Sequence, residues 1–92
     1  MSNIDWSQMI TAEMKSKQAS ERLLSIVQEE VTRLRQLADT AIAPLQDAVD
    51  IDDATEQEKA LLTEWKRYRV ALNRLPIQDG YPNDIEWPAP PA

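Results

Sequence analysis

The sequence predicts an all-α fold: an antiparallel helical hairpin with a long N-terminal helix and an extended, Pro-rich C-terminal tail. Three features point there. The only Gly is Gly80, and five of the six Pro lie at or beyond Pro76, so breakers are segregated to the end. Between Ile10 and Leu75 the chain is dense in Ala, Leu, Glu, Gln, Arg and Lys, whose side chains lose little freedom in a helix. Apolar residues recur there every three or four positions, which lines one helical face.

Residues 1–10 read as a short head carrying Ile4, Trp6, Met9 and Ile10. Thr11 is a plausible N-cap, with Glu13 in the first turn where the macrodipole favours an anion. Residues 11–54 then read as a long helix and turn. The seam runs Leu23, Val27, Val31, Leu34, Ala38, Ala41, Leu45, Ala48, close to heptad spacing, and Leu24, Leu37, Ile42 and Val49 widen it. Pro44 cannot donate to the carbonyl of Thr40, which predicts either a kink near Pro44 in a continuous helix or two helices end to end. The seam keeps phase across the proline and favours the kinked helix.

Thr55 and Glu58 have the spacing of a capping box, so a second helix, residues 55–75 with its cap, begins at Glu56. Its seam is Leu61, Trp65, Tyr68, Leu72, Leu75, and Pro76 ends it. Residues 76–92 are short, acidic and proline-rich, and read as extended or disordered.

So short a link makes the helices antiparallel neighbours. Pairing outward from the turn sets Leu61 against Leu45, Trp65 against Ala41, Tyr68 against Ala38, Leu72 against Leu34, and Leu75 against Val31. Large residues then meet small ones, as close packing requires. The expected hairpin core is Leu34, Ala38, Ala41, Leu45, Leu61, Trp65, Tyr68 and Leu72. The second helix is about half as long as the first at about 1.5 Å per residue. Residues 12–30 therefore overhang, carrying Leu23, Leu24, Ile26 and Val27. A chain this small with no disulfide or metal staple predicts a homo-oligomer or obligate complex, with coiled-coil-like association through the overhang.

Composition excludes several chemistries. With no Cys and no His, thiolate metal sites, Cys nucleophiles and His-based catalysis are unavailable. The acidic run Asp47, Asp50, Asp52, Asp53 fails as an EF-hand, because Thr55 and Leu61 occupy the required Gly and Glu positions. No catalytic residue, metal site or cofactor is expected. Lys66, Arg67, Arg69 and Arg74 beside two rings could suggest single-strand binding. The net charge of −6 and the placement of those rings on the apolar seam argue against nucleic acid. No apolar stretch is long enough for a membrane span, and the N-terminus lacks the pattern of a secretory signal. Trp87 has no core of its own in such a tail, so it either folds back or anchors a partner.

Residues 37–91 carry a distinctive ordered set. "AIAPLQDAVDIDDATEQEKALLTEWKRYRVALNRLP" is followed, after a short linker, by "PNDIEWPAPP". This set resembles the C-terminal region of bacteriophage and prophage tail fibre assembly proteins. The resemblance implies a non-enzymatic, chaperone-like assembly factor that binds the tail fibre protein and assists its folding. It places the protein in the host bacterial cytoplasm during phage assembly, with retention on the virion tail fibre as a further option. Trp65, Lys66, Tyr68, Arg69, Asn73, Arg74, Asp84, Ile85, Trp87 and Pro88 match the family pattern. Combined with the overhang, the expected partner-binding residues are Leu23, Leu24, Val27, Arg69, Arg74 and Trp87. Family members usually carry a larger N-terminal region, whereas about 36 residues precede the segment here. The alternative reading is a structural coiled-coil or oligomerisation component of the phage tail.

Overall fold

The computed structural model describes the backbone of residues 6–91 and the side chains of residues 17–91. It contains two α-helices, α1 (Trp6–Asp50) and α2 (Glu56–Asn73), and a 3-10 turn at Leu75–Ile77. The two helices pack as an antiparallel hairpin, and no strand occurs among the described residues. Helix α1 begins at Trp6 and runs straight through Thr11, so residues 6–10 of the expected head and its cap are helix. No breaker separates Trp6 from the long helix, and propagation is easier than a second nucleation. Ile4 and the side chains of the head lie outside the described residues.

Pro44 sits inside α1 without dividing it. Both Pro44 and Thr40 face solvent, so water can satisfy the carbonyl that the proline leaves free. The C-terminus closes differently from most helices. Asp52 takes a left-handed φ of 58°, its N–H donates to Val49 O, and Asp53 N–H donates to Ala48 O. This is a Schellman closure with aspartate where glycine is usual. Helix α2 then starts with the expected capping box. Thr55 Oγ1 accepts from the Glu58 N–H at 3.0 Å, and Glu58 Oε1 accepts from the Thr55 N–H at 2.9 Å. It ends at Asn73 rather than at residue 75, and Leu75 enters the 3-10 turn with Pro76.

The core cluster is Ala38, Ile42, Leu62, Tyr68, Leu72 and Leu75, with Val31, Leu34, Leu45, Val49 and Trp65 packed against it. Ala38 and Leu75 are fully buried. Ala41 and Leu61 are only half-buried, and Ile42 and Leu62 take the places expected of them. On α1 the packed positions run Val27, Val31, Leu34, Ala38, Ile42, Leu45, Val49, a spacing nearer 11 residues per three turns than a heptad. Such a period lies slightly on the other side of a straight helix from the heptad and so imposes no left-handed supercoil. Across the pair, Arg69 donates to Asp39 at 3.0 Å, directly beside the Tyr68 and Ala38 positions.

The radius of gyration is 21.0 Å and the principal extents are 78 × 20 × 17 Å. A compact chain of this length would have a radius near ~12 Å. The excess comes from the N-terminal half of α1, which projects past the end of α2.

Candidate functional site

Residues 76–84 are folded into turns, which corrects in that part the expectation of an extended or disordered tail for residues 76–92, whereas residues 85–91 hold no regular secondary structure. Turns follow the 3-10 helix, and Asp84 N–H closes on Gly80 O at 2.7 Å. Gly80 is required there because a Cβ would stand 2.3 Å from the Asp84 carbonyl oxygen. Gln78 then clasps the chain from both sides. Its Nε2 donates to Glu86 O at 3.0 Å, and its Oε1 accepts from Glu86 N–H at 2.9 Å. Within this loop Tyr81 and Ile85 pack against the hairpin core. The clasp at Glu86 directs the remaining residues, Trp87 onward, back across the two helices.

That path creates a groove of about 610 Å³ at the open end of the hairpin. Ile26, Val27, Glu30, Arg33 and Leu34 of α1 line one side, and Tyr68, Trp87, Pro88 and Pro90 close the other. Trp87 remains 41% exposed and Ile26 55% exposed, so the groove keeps an apolar lip open to solvent. Val27 beneath it is 5% exposed. The Tyr68 ring packs edge-on to Trp65, with centroids 5.8 Å apart. Its hydroxyl is closed off from solvent and has no hydrogen-bond partner. Burial raises the Tyr68 pKa above its ordinary value, while the nearby Arg33 charge opposes that and Glu30 adds to it. Glu30 and Arg33 are themselves paired: Arg33 Nε donates to Glu30 at 3.1 Å, and the bond holds the Glu30 carboxyl below its usual range.

The expected partner-binding residues divide among several places. Leu23 and Leu24 lie half-buried on α1 just before the groove, and Trp87 forms its lip. Val27 is covered within the chain, because the folded tail reaches further along α1 than an extended one would. Arg69 is occupied by Asp39, whereas Arg74 lies on the outer side of α2 beside Lys66 and Arg67. Among the described residues no ion pair joins Asp79, Asp84 or Glu86 of the tail to the arginines of α2. The groove itself was missed. Its signals were Gly80, the one glycine, and a Gln78 side chain able to mimic a backbone amide.

Among the described residues no group of His, Cys, Asp and Glu could hold a metal ion, and no helix is long and apolar enough to cross a membrane. The groove offers exposed apolar area beside the Glu30–Arg33 pair.

The family model for "Caudovirales tail fibre assembly protein, lambda gpK" matches residues 3–92. The chain belongs to this tail fibre assembly protein family. It is 49% identical over 84 residues to Protein TfaD of Escherichia coli K12, an overlap of 89% of this chain and 43% of that protein. Its identity to the prophage tail fiber assembly protein homolog TfaR of the same strain is 49% over 83 residues, or 88% and 42% of the two chains. With the tail fiber assembly protein of Escherichia phage lambda it shares 48% over 84 residues, or 89% and 42%. The chain thus spans about two-fifths of the length of these relatives (42–43%). The match to residues 3–92 extends the likeness well beyond residues 37–91 and takes in the projecting half of α1. No solved structure matches.

Proposed function

We propose that the protein binds a tail fibre protein and assists its folding or assembly in a chaperone-like manner. The observation that supports this most is family membership across residues 3–92, since the relatives are named for tail fibre assembly. The contact surface in this reading is the open end of the hairpin. Ile26 and Trp87 present exposed apolar area, and Leu23 and Leu24 continue it along the projecting part of α1. Exposed apolar area of this kind gains about 25 cal/mol per Å² when a partner covers it. It would shield fibre chains until they pair with one another. The action takes place in the host bacterial cytoplasm, and retention on the finished fibre is compatible with it. No catalytic step is involved. The small core and elongated shape fit a chain completed by a partner or by a second copy.

The test is co-expression with a tail fibre protein of the phage or prophage that encodes the chain. The proposal expects more soluble, trimeric fibre when the protein is present. An unchanged yield contradicts it. Stoichiometric protein in purified tails, with fibre folding unaffected, supports the structural-component reading instead.

A further inference from the structure

The outer side of α2 carries a second surface, separate from the groove that holds Trp87. Lys66, Arg67 and Arg74 stand around Val70, which is 42% exposed, and together they line an open depression of about 610 Å³. None of the three cations takes part in an ion pair among the described residues, whose pairs are Arg33–Glu30, Lys59–Glu56 and Arg69–Asp39. In a chain of net charge −6, three cations on one helical face with no ion pair among the described residues are a marked local reversal. They do not serve the hairpin, because the core lies on the opposite side of α2. An exposed aliphatic centre with a cationic rim is complementary to a segment carrying carboxylates on both sides of an apolar residue.

We propose that this face docks an acidic, centrally apolar peptide segment of a partner protein. A second copy of the chain is a poor occupant. Two α2 helices crossing antiparallel about Val70 would bring Lys66 of one against Arg74 of the other, and like charges in contact repel. Nucleic acid is disfavoured as well. Single-strand binding needs exposed rings beside the cations, whereas Tyr68 is 4% exposed and Trp65 packs on the core. Lys66 and Arg67 would set the charge contacts at one end of the peptide, Arg74 at the other, and Val70 would meet the apolar side chain between them.

The inference rests on the reading above only in assuming a protein partner, and it is tested on the isolated chain. The probe is a fluorescein-labelled peptide of sequence EDELLEDE, followed by fluorescence anisotropy. Binding is expected, with affinity falling several-fold between about 50 and about 300 mM salt as the charges are screened. The double variant K66E/R67E should bind about tenfold more weakly, and V70S several-fold more weakly. R74Q provides a milder variant that leaves no anion at the helix C-terminus. These side chains are exposed, so helical circular dichroism should be unchanged in each. The amide peptide QNQLLQNQ should bind at least about tenfold more weakly than the acidic one. Equal binding by K66E/R67E, equal binding by the amide peptide, or tighter binding of a thymidine oligonucleotide overturns the proposal. Absence of peptide binding while fibre co-expression still raises fibre yield overturns this docking face and leaves the assembly role standing.

Discussion

Replacing Tyr68 by Phe should stabilise the protein. The hydroxyl is buried without a partner at the junction of α2, α1 and the tail. An unsatisfied hydroxyl of this kind costs about 1–3 kcal/mol. Y68F removes that cost and keeps the ring, including its edge-on contact with Trp65 at 5.8 Å. The lost oxygen leaves only a small gap, which returns a few tenths of a kcal/mol. The expected net gain is about 1 kcal/mol, or about 5 °C in Tm for a chain of this size. Urea unfolding followed at 222 nm measures it, with the midpoint rising at constant slope. The pH dependence gives an independent check. Burial raises the folded pKa of Tyr68 above 10.0, so the neutral form favours the fold. The native state then holds its proton where the unfolded chain has lost it. This contribution is complete below about pH 10 and is lost as pH rises through the higher folded pKa. Wild type should therefore weaken in that range by more than Y68F does. A Y68F protein less stable than wild type by more than about 0.5 kcal/mol refutes the reasoning, because the hydroxyl must then have a partner.

Three further substitutions probe the fold. Asp52→Gly should stabilise the hairpin by about 0.5–1 kcal/mol in chemical denaturation, since the left-handed φ of 58° suits glycine. Ala38→Leu should destabilise by about 1–3 kcal/mol, because position 38 is fully buried opposite Tyr68 and has no room for more methylenes. Gly80→Ala should cost about 2–3 kcal/mol through loss of the Asp84 and Gln78–Glu86 bonds, and amide exchange at Glu86 should accelerate.

How far the sequence was legible varied with the range of the interactions. The capping box at Thr55 and Glu58 is local, and it could be read directly. The choice of core face depends on tertiary packing. Ala41 and Ile42, Ala48 and Val49, and Leu61 and Leu62 are adjacent apolar pairs, so either member fits a helical period. Packing selected Ile42, Val49 and Leu62. A heptad reading takes the other member of each pair and implies a twist that the helices do not need. The tail was illegible for a different reason. Its order depends on one glutamine side chain bonding to a backbone eight residues away, a contact that composition does not encode. That contact also explains why Val27, read as an uncovered position, is closed over.

The most direct test of the account is co-purification of a tail fibre protein with the tagged chain, comparing wild type with I26D and with W87A. The open end of the hairpin is the proposed grip, so each variant should retain helical content and lose about tenfold of the bound fibre protein. Undiminished fibre recovery with both variants would contradict it.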